Sequence, residues 1–119
     1  MIEEAYITFE TAKMLDGIEF HCVGCYTEDG STDALDVMNA INNKEKLYPR
    51  ITQSILARWL REKYNIYVSV QIYDSVWSFQ IVNLNNKSEE QHGFLRGSYD
   101  SYEEALESGL QAAICFVTY

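Results

Sequence analysis

A single proline and six glycines in 119 residues leave no room for a flexible linker. One domain spanning residues 1–119 is therefore expected, and a chain of this length buries enough apolar surface to fold without metals or disulfides. No run approaches the roughly 20 apolar residues of a membrane span. The start, "MIEEAYITFE", lacks the positive end and apolar core of a secretory leader. A soluble, cytoplasmic protein is the expectation. Cysteine is scarce and odd in number, three in all, which fits thiols in a reducing compartment better than a disulfide framework. Histidine occurs only twice, and there is no glycine-rich phosphate loop, no Gly-x-Ser-x-Gly elbow and no spacing that pairs a nucleophile with a base. Enzymatic activity is not expected, and neither is a cofactor.

Basic residues are also few, nine against eighteen acidic ones, for a net charge of −9. Such a charge opposes nonspecific contact with nucleic acid or anionic lipid. The distribution is uneven. Residues 44–63 hold six basic residues against Glu45 and Glu62, a net of +4, while the remainder holds three basic and sixteen acidic residues, a net of −13.

What is present is periodic. "ITFETAKML" predicts a short helix with Thr8 as its cap, Glu10 near the positive end of the dipole and Gly17 beyond it. "IEFHCVGCY" predicts a strand ending at the turn "EDGS". In "DALDVMNAI", Ala34, Val37, Met38 and Ile41 recur at helical spacing, closed by "NNK". A third helix is capped by Thr52, with Pro49 harmlessly upstream. On it Ile55, Leu56, Trp59 and Leu60 form one apolar stripe, while Arg58 and Arg61 point away.

After Asn65 the period changes from 3.6 to 2. "IYVSVQIY" and "VWSFQIV" then predict a hairpin across Asp74 and Ser75, with Tyr73 opposite Val76 and the pairs Ile72/Trp77, Val70/Phe79 and Val68/Ile81 on one face. The other face carries Tyr67, Ser69, Gln71, Tyr73, Ser78 and Gln80, without a formal charge. A third strand is expected in "HGFLRGSY". The last helix begins at Asp100 or Ser101, with Ser101 and Glu104 at capping-box spacing. Leu106, Leu110, Ala113 and Val117 are expected to face inward, and Glu104, Glu107, Ser108 and Gln111 to face water. The fold class is α+β: an antiparallel sheet with the third and last helices on one face, and an N-terminal helix-strand segment at an edge or on the other face.

Three site types follow from these patterns. The uncharged sheet face combines tyrosine, serine and glutamine, which give contact area and adaptable hydrogen bonds to a protein partner; alternatively the N-terminal half covers it. Arg58 and Arg61 form a solvated face, a docking patch for an acidic partner or a second copy of the chain, or a phosphate-contacting patch. In "HCVGC", Cys22 and Cys25 with His21, His92 or Cys115 would make a zinc site only if the backbone turned between the cysteines. In a strand they project to opposite faces, so thiols without metal are expected.

The helix, three strands, helix order from residue 51 matches that of double-stranded RNA-binding domains, which makes a nucleic-acid module using Arg50, Arg58, Arg61 and Lys63 the alternative function. Those domains place lysines at the start of the last helix. Here that position holds Glu103, Glu104 and Glu107.

"ITFETAKML", "TQSILARWLREKYNIYV" and "YDSYEEALESGLQAAICFV" together resemble a family of small uncharacterised proteins of gut bacteria and their phages and mobile elements. The matching positions are Thr52-Gln53, Trp59-Leu60-Arg61-Glu62 and Tyr102 to Leu106. Arg50-Ile51 departs from the usual Ala-Pro, and Ala112, Ala113 and Cys115 from longer residues. The resemblance implies a phage or mobile-element accessory setting. It implies no activity, and the overall expectation is a non-enzymatic protein-interaction or accessory protein.

Overall fold

The computed structural model describes residues 4–16, 24–83 and 96–118. The molecule is α+β, and its chain divides into two compact units, one formed by Tyr6–Thr52 and the other by Met1–Ala5 with Gln53–Tyr119.

In Tyr6–Thr52, helix α1 (Phe9–Met14) starts where Thr8 accepts a hydrogen bond from the Thr11 amide at 3.3 Å, with Glu10 in the first turn and Lys13 in the last. Cap and helix match the sequence-based expectation; Gly17 lies outside the described residues. Strand β1 (Cys25–Tyr26) pairs antiparallel with β2 (Tyr48–Pro49). The expected strand from residue 18 is thus described only at its end. The "EDGS" turn forms, closed by Thr27: its carbonyl accepts from the Gly30 amide and its hydroxyl from the Ser31 amide. Gly30 adopts a φ of 84°. Helix α2 (Ala34–Asn42) is capped by Asp33, whose Oδ1 accepts from the Leu35 and Asp36 amides. Its buried residue is Ala40, whereas the spaced positions Met38 and Ile41 are exposed, as is Leu35. Periodicity establishes which residues share a face, not which face is covered.

In the other unit, helix α3 (Gln53–Tyr64) begins directly after Thr52 and ends at Asn65, which takes a left-handed φ of 56°. Strands β3 (Ile66–Tyr73) and β4 (Val76–Asn83) pair without a break, Tyr73 opposite Val76, Ile72 opposite Trp77, Val70 opposite Phe79 and Val68 opposite Ile81. The predicted register is the observed one. Asp74 and Ser75 both have positive φ, 51° and 64°, as a two-residue type I′ turn requires. Strand β5 (Arg96–Tyr99) pairs antiparallel with β4 across an irregularity, giving the order β3-β4-β5. Residues 92–95 of the predicted strand lie outside the described residues.

Helix α4 (Tyr102–Thr118) packs on all three strands and on α3. Ser101 accepts from the Glu104 amide, and the Glu104 carboxylate accepts from the Asp100 amide, both at 3.2 Å. The box closes one residue earlier than the standard pattern. Gly109 lets the helix sit low: a Cβ there would lie 2.7 Å from Val68 Cγ1 and 3.1 Å from Phe79 Cβ.

Two assignments need correction. Ile55 is exposed, and Gln53 joins Leu56 and Leu60 in the buried line of α3. Glu107, expected in water, is buried at 8 % exposure and accepts a hydrogen bond from Gln53 Nε2 at 2.9 Å. The cause is that α4 has neighbours on two sides. At 100° per residue its buried positions, from Ala105 round to Glu107, cover roughly 200° of the helix rather than one face.

Candidate functional site

The candidate site is the side of the β3-β4 hairpin turned away from α4. Val68 and Phe79 meet Gly109 of that helix, so the alternate residues of each strand face the opposite way. Along β3 these are Tyr67, Ser69 and Gln71, and along β4 Val76, Ser78, Gln80 and Val82. Ser69 stands opposite Gln80 and Gln71 opposite Ser78. Gln71 Nε2 donates to Gln80 Oε1 at 2.9 Å, a diagonal bond that fixes both amides. Tyr73 is placed by its backbone pairing with Val76.

Exposure is unequal across this row. Tyr67 and Gln71 are exposed, Ser69 and Gln80 half-buried, and Ser78 buried. Ser78 is a small side chain on the central strand, with β3 on one side and β5 on the other. The open part of the row therefore belongs to β3.

The two arginines are separated by their partners. Arg58 Nε donates to Glu62 Oε1 at 2.9 Å, one helical turn away, and this bond raises the guanidinium pKa further above its ordinary value. Arg61 instead lies 6.0 Å from the centre of the Tyr67 ring, within cation–π range. Arg61 and Tyr67 are thus brought together, as are Gln71 and Gln80, while Arg58 is occupied within its own helix. Of the other basic residues, Lys63 stands over the Trp59 and Tyr64 rings, and Arg50 over Tyr6 at 3.9 Å in the Tyr6–Thr52 unit.

The contact of Arg61 with Tyr67 and the buried pair of Gln53 with Glu107 were not anticipated from sequence. Arg61 precedes Tyr67 by six residues across a helix end, and only the left-handed turn at Asn65 folds one back toward the other. Gln53 had one signal, its place in the Thr52-Gln53 pair.

Other chemistry finds less support. Among the described residues no group of three or more His, Cys, Asp or Glu is arranged to hold a metal ion. Cys25 is half-buried and Cys115 exposed on α4; His21, Cys22 and His92 lie outside the described residues. In the Tyr6–Thr52 unit a cavity of about 240 Å³ is lined by Thr27, Asp29, Ser31, Asp36, Asn39 and Glu45. There Ser31 Oγ donates to Asp36 Oδ2 at 2.6 Å, and no histidine is among the described residues. A second, of about 300 Å³, lies between Cys25, Val37, Met38 and Arg50. No described helix is long and apolar enough to cross a membrane. No family model, curated protein or solved structure matches the chain.

Proposed function

We propose that the chain is a non-enzymatic, cytoplasmic protein-interaction module, an accessory of phage or mobile-element type, that presents the outward side of β3 to a protein partner. The observation that carries this reading is the composition of that side: in a chain whose residues are 23 % charged, Tyr67, Ser69, Gln71 and Gln80 form an uncharged row with Arg61 set against the tyrosine ring. A tyrosine beside an arginine, flanked by hydrogen-bonding amides, is the composition found at the energetic centres of protein interfaces. Nucleic acid fits less well. The row has no phosphate-binding charge, Arg58 is held by Glu62, and Glu103 and Glu104 are exposed at the start of α4.

The test is capture of a partner by the tagged chain, compared with Tyr67→Ala and Gln71→Glu. Loss of an interface centre of about 2 kcal/mol weakens binding roughly 30-fold. Equal recovery by the parent and both variants removes the reading. Binding to duplex RNA or DNA that falls steeply with salt would replace it with the nucleic-acid alternative.

A further inference from the structure

Strand β3 is an edge. It has β4 on one side and, among the described residues, no strand on the other. In a two-residue hairpin the residues flanking the loop form a hydrogen-bonded pair, and such pairs then alternate. Tyr73, Gln71, Ser69 and Tyr67 therefore spend their backbone groups on β4. The N–H and C=O groups of Ile66, Val68, Val70 and Ile72 point out of the sheet. Edges of this kind are ordinarily blunted by a lysine, a proline, a bulge or shortness. β3 has none of these: it runs for eight residues without a charge or proline, and its ladder has no irregularity, although its first residue, Ile66, is covered at 2 % exposure. At its far end Ile72 is 57 % exposed.

We infer that this edge pairs with the same edge of a second copy, antiparallel about a two-fold axis at Ser69, joining two three-stranded sheets into one of six strands. The inference deepens the proposed function and rests on it only in taking β3 as the contact surface. What selects a second copy is the sequence of the strand. Ile66-Tyr67-Val68-Ser69-Val70-Gln71-Ile72 reads almost the same in both directions, so a two-fold at Ser69 sets Ile66 against Ile72 and Val68 against Val70 on the α4 side. On the other side it sets Tyr67 against Gln71 and Ser69 against its own copy. Every apolar residue meets an apolar one.

Charge agrees with this register. Asp74, at the hairpin tip, comes level with Tyr64 of the second copy, at the helix end that carries Arg61 and Lys63. The two Arg61 groups, each over its own Tyr67, stay about 13 Å apart along the strands, four residues at roughly 3.3 Å, which exceeds the Debye length of about 10 Å at 0.1 M salt. The two Val68/Val70 pairs beside the axis close about four backbone hydrogen bonds, and the Ile66/Ile72 pairs add as many again only where the cover over Ile66 gives way, against roughly 10 ± 5 in an ordinary protein interface.

Sedimentation equilibrium of the full chain measures this directly, with a concentration-dependent dimer expected. Val70→Pro removes an outward N–H and leaves the β4 ladder intact, since proline is tolerated where the N–H of an edge strand faces solvent. Ser69→Lys places like charges opposite each other across the axis. Each weakens the dimer at least about tenfold. Should Val70→Pro lose its circular dichroism spectrum, Ser69→Lys decides. Under mild oxidation Ser69→Cys yields a covalent dimer beyond any formed by the parent chain, because a non-hydrogen-bonded antiparallel pair brings two Cβ atoms within disulfide reach. A parent chain that stays monomeric, or a dimer unaffected by the folded variants, overturns the inference. A monomer whose partner capture still depends on Tyr67 overturns the second copy while leaving the proposed function intact.

Discussion

The two units differ in the length of the elements that build each of them. From Gln53 onward the described residues form a twelve-residue helix, two eight-residue strands, a four-residue strand and a seventeen-residue helix, and the core is made mainly by the apolar faces of the long elements: Leu56, Leu60, Ile66, Phe79, Leu110 and Ile114. In Tyr6–Thr52 the strands are two residues each and the helices six and nine. The shorter elements there also bury Ile7, Leu15 and Ile51, and they are tied in addition by individual polar bonds: the Tyr26 hydroxyl to the Ile7 carbonyl at 2.6 Å, the Thr8 and Asp33 caps, and the Thr27 turn. Two glycines mark the contrast. Gly109 makes room for one regular layer on another, whereas Gly30 supplies a backbone conformation that a turn needs. Regular elements bury apolar area in proportion to their length, while short ones depend on particular atoms.

The largest expected effect tests the first half of that contrast. Leu60 is wholly buried in the line of α3 that meets the sheet and α4. Leu60→Ala should cost about 3 kcal/mol, within the 2–5 typical of a buried leucine, read as a lower urea midpoint with an unchanged slope. A loss under about 1 kcal/mol would mean that the site collapses around the cavity and that the layers are less interlocked than their burial indicates.

The same contrast explains how much was legible in the sequence. The hairpin register followed from alternation and the Asp74-Ser75 loop, because shifting it by one residue would turn Trp77 and Phe79 to the other face. That Tyr67 and Gln71 share a face followed with it, whereas their exposure did not, since the same register also allows a covered face. Caps at Thr8 and Ser101 were equally visible, since a cap is a local bond between neighbours in sequence. What escaped prediction depended on a second element. Glu107 is buried because Gln53, 54 residues away, offers it an amide, and a single-helix wheel carries no information about that. Ser78 is buried because its strand is central, a matter of sheet order. Met38 and Ile41 have the spacing of a covered stripe, yet the helix turns Ala40 inward.

A middle-sized effect tests the second half. Gly30 has a φ of 84°, and a Cβ there would lie 3.0 Å from Cδ2 of Phe9, a ring that also packs edgewise on Tyr48. Gly30→Ala gains some stability by restricting the unfolded chain, about 0.4–1 kcal/mol. Against this stand a left-handed conformation costing roughly 1–2 kcal/mol and the displaced ring. A net loss of about 1 kcal/mol is expected. Hydrogen exchange would place it in residues 24–52 if the turn matters as a local tie, with the amides of β3 and β4 keeping their protection. Uniform loss across the chain would instead show that the two units open together, and the distinction drawn between them would fail.

The smallest effect concerns a tie that looks strong by distance alone. Lys46 Nζ lies 2.6 Å from Asp16 Oδ2, and its backbone amide donates to Glu28. The bond to Asp16 raises the lysine pKa above its ordinary 10.5. A raised folded-state value means that any stabilisation is fully present below the unfolded-state pKa and disappears as pH rises through the folded one. Both side chains are about half exposed, however, where solvent and salt screen the pair and its ordering entropy offsets most of the attraction. Lys46→Met keeps the apolar stem and removes the charge, with it the approach of Nζ to the Tyr48 ring at 5.9 Å, and both are weak at an exposed site, so its urea midpoint at neutral pH should match the parent within error. A clear loss at neutral pH that vanishes only above the lysine range would show that an exposed ion pair does what the caps and the Thr27 turn are credited with, and the polar ties of Tyr6–Thr52 would then have to be ranked by charge rather than by burial.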